Sequence, residues 1–260
     1  MTSPRPVCLI TNAHTYVGPS LARVLARSAH DFVLHVPAPG RNTMDTPDQV
    51  VEALVEELGA LGSAATVVRD ADLSTAEGNQ ECVETALSTY GRLDACCLVT
   101  GLIAAGRFLQ ATPETWEQQK RFNLDMVFHG LQAVLPPMLE ARSGQVIVFT
   151  SAAGARPEPK VSLYSATRAG ANALVRAVGL EHADSGITVN AIGTNFMNFP
   201  GFRDANGMSD ASRAERVLAA VPMHRLGELD ELAEFTAVLL DGRSRFQTGQ
   251  FFSFSGGWSS

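Results

Sequence analysis

Short apolar runs alternate along the chain with longer amphipathic stretches. The short runs have the length and composition of buried strands, and the longer stretches repeat apolar residues at helical spacing. Strands are predicted over Val7–Ile10, Phe32–Val36, Ala65–Val68, Ala95–Val99, Gln145–Thr150, Thr188–Ile192 and Gln250–Phe254, and helices over Ser20–Ala29, Pro47–Leu61, Gly78–Tyr90, Pro113–Glu140, Leu163–His182, Ser209–Val221 and Asp230–Asp241. Such alternation is typical of a parallel sheet covered by helices on both faces. The pattern therefore predicts an α/β fold, a single doubly wound Rossmann-like domain over residues 1–260 with a seven-stranded parallel sheet.

Composition narrows the possible partners. The 260 residues are 45% hydrophobic and 18% charged, which is typical of a globular protein with a sizeable core. A net charge of −7 argues against nucleic acid or an anionic membrane as partner. We expect no membrane span and no signal peptide, and hence a cytoplasmic protein. The four cysteines lack C-x-x-C spacing, so we expect buried thiols and no metal site.

The first predicted strand leads into an altered phosphate-binding loop, Thr11-Asn12-Ala13-His14-Thr15-Tyr16-Val17-Gly18. A Rossmann chain places glycines there for a tight turn and for close approach of the backbone to a pyrophosphate. Asn12 and Tyr16 stand where two of the three glycines are expected, and Gly18 is the one that remains. A phenol ring at Tyr16 would fill space that a nicotinamide needs. The sequence therefore predicts a dinucleotide-binding framework with a closed pocket and no cofactor.

Three residues form a candidate catalytic group. Ser151 follows a strand, at the carboxyl edge of the sheet where ligands of open α/β sheets bind. Tyr164 and Arg168 are four residues apart in a predicted helix, so they lie one turn apart on the same face. A guanidinium favours the phenolate form of a nearby tyrosine and so prepares it as a general base. A serine hydroxyl can hold the substrate oxygen against that phenol.

These residues resemble the short-chain dehydrogenase/reductase superfamily over essentially the whole chain. The resemblance rests on Ser151, Tyr164, the residue four positions later, Asn123 in Arg121-Phe122-Asn123-Leu124-Asp125, and Gly256-Gly257-Trp258. The chain departs from the superfamily at its first loop, at Arg168 in place of lysine, and at Leu98-Val99-Thr100-Gly101 in place of Asn-Asn-Ala-Gly. The acid that selects the cofactor after the second strand is also absent. Each departure weakens nicotinamide binding.

The departures as a set are similar to those of the halohydrin dehalogenases (haloalcohol dehalogenases), which use the superfamily fold without NAD(P). That family carries a Ser-Tyr-Arg triad, an aromatic residue in the former glycine loop, and a halide pocket in place of the nicotinamide site. Residues 191–202 are similar to its halide-binding loop, although the family more often has proline at the position of Thr194. The resemblance implies a halide- or nucleophile-binding site made of Tyr16, Thr194, Asn195, Phe196, Met197 and Phe202.

The resemblance also implies a reaction, catalysed by a cofactor-independent lyase. Tyr164 would remove the hydroxyl proton of a vicinal haloalcohol while Ser151 holds the oxygen, and the alkoxide would displace the halide to close an epoxide. Backbone amides and aromatic edges would hold the released halide. In reverse, azide, cyanide, nitrite or halide would open the epoxide. The expected partners are therefore a small haloalcohol or epoxide and a small anion.

Two other interpretations stay open. The first is an NAD(P)H-dependent oxidoreductase of the parent superfamily with a degenerate glycine loop, which would bind NADPH. The second is a non-catalytic regulator that keeps the fold for binding, which would tolerate Tyr164→Phe. Retention of the triad argues against the regulator.

The apolar content of two helices predicts self-association. Pro113–Glu140 carries more apolar residues than one sheet face needs, among them Met126, Val127 and Leu131. In the superfamily that the chain resembles, this helix and the one carrying the tyrosine pair across subunits. We therefore expect a homotetramer, with a dimer as the next state.

Overall fold

A computed structural model describes residues 5–38 and 48–259. Its strands are β1 (Val7–Ile10), β2 (Asp31–Val36), β3 (Ala65–Arg69), β4 (Ala95–Val99), β5 (Gly144–Ser151), β6 (Ile187–Thr194) and β7 (Phe251–Phe254). They form one seven-stranded parallel sheet in the order β3-β2-β1-β4-β5-β6-β7. The order reverses between β1 and β4, which opens a crevice at the carboxyl ends of the strands. The predicted doubly wound α/β fold is confirmed.

The helices connect the strands. They are α1 (Gly18–Arg27), α2 (Asp48–Ala60), α3 (Ala76–Tyr90), α4 (Pro113–Lys120), α5 (Met126–Ala141), α6 (Ser162–Glu181), α7 (Pro200–Ala205), α8 (Ala211–Ala219) and α9 (Leu229–Leu240). The predicted helix bounds differ from these by no more than two residues, except at 113–141 and at α7. Pro47, the first residue of one predicted helix, lies outside the described residues.

Two hydrophobic layers sandwich the sheet. Successive strand residues point to opposite faces. Leu9 on β1 joins the layer built with α3, α5 and α6, whereas Ile10 joins the layer built with α1, α2 and α9. Because both faces are covered, the two central strands, β1 and β4, are apolar throughout, as is typical of a buried parallel sheet. This packing fixes the strand ends that carry the site.

The segment predicted as one long helix is interrupted. A wide π-helical turn, Arg121–Asp125, separates α4 from α5 and turns Asn123 inward. Met126, Val127 and Leu131 are buried in the core of their own subunit, so they do not support the predicted assembly. Phe128 and Trp116 on the same helices are 46% and 39% exposed.

Helix α7 lies in a segment for which no helix was predicted. It is six residues long, too short to show a helical period, and Pro200 opens it at a position where the missing N–H costs nothing. Over the described ranges, no helix is long and apolar enough to cross a membrane.

Candidate active site

One cavity of about 970 Å³ opens at the carboxyl edge of the sheet, and all nine predicted site residues line it. They are Tyr16, Ser151, Tyr164, Arg168, Thr194, Asn195, Phe196, Met197 and Phe202. The volume lies within the range of small-molecule sites. The structure therefore brings the predicted residues together in one cavity.

Ser151 is fixed by the sheet. It is the last residue of β5 and pairs in register with Thr194, the last residue of β6. Its hydroxyl accepts a hydrogen bond from the amide of Ala153 at 3.1 Å and lies 3.4 Å from the carbonyl oxygen of Thr194. Ser151 is buried at the inner end of the cavity, so its hydroxyl is held in position to meet a substrate oxygen.

Tyr164 and Arg168 lie on the first turns of α6, as their spacing predicted. The guanidinium carbon of Arg168 is 5.3 Å from the centroid of the Tyr164 ring, within cation–π range. Arg168 is only 2% exposed, whereas Tyr164 is half-buried and lines the cavity. The buried guanidinium of Arg168 therefore lies next to the phenol ring of Tyr164.

Two backbone carbonyls and a threonine hydroxyl hold the buried guanidinium. Arg168 Nη1 donates to Thr100 Oγ1 at 3.1 Å and to the carbonyl of Phe149 at 3.4 Å, and Nη2 donates to the carbonyl of Thr100. Gly101 makes room for this arrangement: at its φ of +130° a Cβ would lie 1.7 Å from Arg168 Nη2. Arg168 is therefore anchored to the loop after β4 as well as placed beside Tyr164.

Asn123 clamps the same loop from the opposite side. Its Nδ2 donates to the carbonyl of Leu102 at 2.8 Å and to that of Gln119 at 2.9 Å, and its Oδ1 accepts from the amide of Leu102 at 3.2 Å. Asn123 is completely buried. These contacts give Asn123 a structural role, which is to hold the loop after β4 against the π-helical turn.

The backbone of the loop after β1 adopts angles typical of glycine at two positions that carry other residues. Asn12 and Tyr16 have φ angles of +47° and +52°, in the left-handed region that favours glycine. The amide of Asn12 donates to His35 Nδ1 at 3.1 Å, and His35 Nε2 lies 3.0 Å from the carbonyl of Ala71. Nδ1 must accept, so Nε2 carries the proton and donates to Ala71. His35 on β2 thus ties the loop to the end of β3.

Tyr16 bridges two sides of the crevice. Its hydroxyl donates to Thr194 Oγ1 at 2.7 Å, and its ring packs edge-on against Phe149 and Phe199. Burial raises the pKa of Tyr16, so its phenol stays neutral. This leaves Tyr164 as the tyrosine suited to proton transfer.

Two backbone amides of the predicted anion-binding turn already donate hydrogen bonds within the protein. The amide of Asn195 donates to the carbonyl of Phe254 at 3.4 Å, and the amide of Phe196 donates to Asn195 Oδ1 at 2.9 Å. Phe196 packs against Phe202 and against Trp258, which is buried behind the cavity wall. These aromatic side chains pack together at one side of the cavity. The amides of Asn195 and Phe196 are bonded within the protein, so they are not available to bind a free anion.

Sequence reasoning missed part of the lining. Glu158, Arg213 and Arg216 also face the cavity, as do Ile103 and Phe199. The two arginines are three residues apart in a helix that was predicted, and that spacing was the available sign of a shared face.

The fold and the site together define a class: a Rossmann-like protein whose cavity at the carboxyl edge of the sheet is lined by a serine, a tyrosine and an arginine. The family model described as Enoyl-(Acyl carrier protein) reductase matches residues 19–259. The chain belongs to the short-chain dehydrogenase/reductase family. The match begins directly after the altered loop.

Relatives cover nearly the whole chain. The 3-oxoacyl-(acyl-carrier-protein) reductase FabG of Staphylococcus epidermidis is 30% identical over 250 residues, which are 96% of this chain and 97% of the relative. The oxidoreductase UcpA of Salmonella typhimurium is 30% identical over 246 residues, 93% and 89% of the two chains. FabG of Staphylococcus aureus is 28% identical over 252 residues, 96% of each.

These comparisons contradict the predicted reaction. The expectation of a halohydrin dehalogenase, a lyase acting on haloalcohols and epoxides, is wrong, because relatives of nearly full length are named reductases and oxidoreductases. The altered loop suggested the lyase, yet Asn12 and Tyr16 change side chains on a backbone that keeps its glycine-like path. The alternative of a short-chain oxidoreductase is the one that the comparisons favour.

Proposed function

We propose that the protein is an oxidoreductase that interconverts a hydroxyl and a carbonyl group of a substrate held in the cavity. The observation that carries the proposal is that Ser151 and Tyr164 line one cavity in a chain related along 96% of its length to a reductase. Reduction of a carbonyl adds a hydride to carbon and a proton to oxygen. The described residues account for the proton.

Tyr164 is assigned to proton transfer because it lines the cavity together with Ser151. Tyr164 would donate its phenol proton to the carbonyl oxygen and regain it from solvent, with the guanidinium of Arg168 stabilising the phenolate between these steps. Ser151 would donate a hydrogen bond to the same oxygen. Tyr16 is unsuited to this role because burial disfavours the phenolate that proton donation would leave, and because its hydroxyl is bonded to Thr194.

A nicotinamide dinucleotide is the hydride donor that oxidoreductases of this fold commonly bind along the glycine loop. The described residues narrow that seat compared with a glycine loop. The side chains of Asn12 and Tyr16 occupy the glycine positions, and the Tyr16–Thr194 bond spans the crevice. The guanidinium of Arg168 is bonded to Thr100 and Phe149. A dinucleotide bound there would supply the hydride, and the Tyr16 ring would weaken its binding.

The proposal is tested by following oxidation of NADPH and NADH in the presence of ketones and identifying the alcohol formed. The wild-type protein should couple the two. Tyr164→Phe should reduce kcat by about 10²- to 10⁴-fold, the usual contribution of a general acid–base group. Tyr90→Phe is the matched control, because the Tyr90 hydroxyl bonds to Thr66 and to the carbonyl of Phe32, outside the cavity.

Two results would contradict the proposal. One is the absence of ketone-dependent oxidation of either dinucleotide at any concentration tested. The other is a Tyr164→Phe variant as active as Tyr90→Phe, with both variants folded by circular dichroism.

A further inference from the structure

The cavity is more positive than the rest of the protein. Among the described residues, its charged lining consists of Arg168, Arg213 and Arg216 against one carboxylate, that of Glu158, whereas the chain as a whole carries a net charge of −7. A cleft lined by one sign of charge concentrates ligands of the opposite sign. In an acidic protein, this contrast points to an anionic ligand.

Two of these cations stand together at the solvent end of the cavity. Arg213 and Arg216 lie three residues apart on α8, and both are exposed. Arg168 and Ser151, in contrast, are 2% and 5% exposed at the inner end. The arginine pair therefore lies at the mouth, away from the reacting groups.

The pair has no carboxylate partner among residues 5–38 and 48–259. Neither Arg213 nor Arg216 forms an ion pair there. The nearby Asp210 is engaged otherwise, since its Oδ1 caps α8 by accepting from the amide of Arg213 at 2.9 Å and from Ser212 Oγ at 2.7 Å. Like charges one turn apart on a helix repel each other. An anion bound between them would relieve that repulsion.

Apolar side chains make up much of the remaining lining. Ile103, Val161, Phe199 and Phe202 line the cavity, and Val217 does so from α8, the helix that carries the arginine pair. A ligand that fits these groups has a reacting oxygen at one end, an apolar body and a charged group at the other end.

We propose that Arg213 and Arg216 bind an anionic group of the substrate, so that the substrates are oxo or hydroxy acids whose carboxylate lies at the cavity mouth. The substrate class rests on the proposed oxidoreductase function, whereas the binding of the anion does not. Two charge-assisted hydrogen bonds at a partly exposed site should favour the acid over its neutral ester by about 5- to 30-fold.

The experiment measures binding without turnover. Calorimetry with 4-oxooctanoate and with its methyl ester should show tighter binding of the acid by wild-type protein, with a dissociation constant that rises with salt. Arg213→Gln/Arg216→Gln should bind both ligands with similar, ester-like affinity. Arg176→Gln/Arg245→Gln removes the same charge from exposed positions outside the cavity and should keep the preference.

The outcomes separate the two proposals. A preference for the acid that depends on Arg213 and Arg216 supports the inference, even if no ketone is reduced, and in that case only the proposed function fails. Equal binding of acid and ester, no binding of either, or an acid preference that survives in the double variant overturns the inference, whether or not ketones are reduced.

Discussion

The hydrogen bonds of His35 predict a specific loss of stability in mild acid. His35 is 1% exposed, accepts from the amide of Asn12 through Nδ1 and donates to the carbonyl of Ala71 through Nε2. A proton on Nδ1 would end the first bond and place a charge in the core. Burial accordingly lowers the pKa of His35 from 6.5 to about 4.

The sign and size of the effect follow from proton linkage. Above pH 6.5 both the folded and the unfolded chain hold a neutral His35, so the full stability is present. Between pH 6.5 and 4 the unfolded chain takes up a proton that the folded chain refuses, so the free energy of unfolding decreases as pH falls. The decrease attributable to His35 is about 1.4 kcal/mol at pH 5.5 and about 2 kcal/mol at pH 5, approaching about 3 kcal/mol near pH 4.

Urea unfolding at fixed protein concentration, repeated from pH 7.5 to 4.5, measures this decrease. His35→Gln cannot titrate and should lose less stability over the same interval, although it starts lower at pH 7.5. Comparison of slopes removes the contribution of the carboxylates and of His30, whose pKa burial also lowers. His224→Asn at an exposed position is the control and should follow the wild type. Parallel curves for wild type and His35→Gln would refute the reasoning.

Three further predictions concern the loops and the assembly. Asn123→Ala should lower the free energy of unfolding by about 1–3 kcal/mol, because it leaves both backbone groups of Leu102 without their buried partner; unchanged urea unfolding would contradict the clamp. Tyr16→Gly should lower the KM for NADPH by about tenfold or more, since glycine suits a φ of +52° and opens the crevice, and an unchanged KM would show that the ring does not obstruct the dinucleotide. The homotetramer stays a prediction, for which Trp116 and Phe128 are exposed aromatic side chains available for contact, and light scattering at micromolar concentration should exclude the 27.7 kDa mass of one chain; a mass near that value would contradict assembly.

The central strands were predictable because burial in the core is the main constraint on their residues. The strands are buried on both faces, so Val7–Ile10 and Ala95–Val99 read as uninterrupted apolar runs with the observed bounds. Ser151 and Tyr164 were predictable because a strand end and a helical spacing place them. The local sequence pattern was sufficient to predict these strands and the positions of these two residues.

The missed features depend on contacts between distant parts of the chain. His35 looked like the residue of an ordinary strand, yet its ring bonds to Asn12 and Ala71, 23 and 36 residues away. The π-helical turn at Asn123 is stabilised by Leu102, which no helical period reveals. The predicted reaction class was wrong because the side chains of the loop after β1 do not reveal its backbone path, which the φ angles of Asn12 and Tyr16 show to be kept.

Transfer of hydrogen to the substrate carbon tests the central claim most directly. The protein is incubated with an oxo acid and with reduced nicotinamide dinucleotide deuterated at the hydride-donating carbon, and the alcohol is examined by mass spectrometry. The account predicts one deuterium on the carbinol carbon, and loss of the labelled product in Tyr164→Phe but not in Tyr90→Phe. Failure to form the alcohol with either NADPH or NADH, or an alcohol without deuterium, would contradict the assignment as an oxidoreductase.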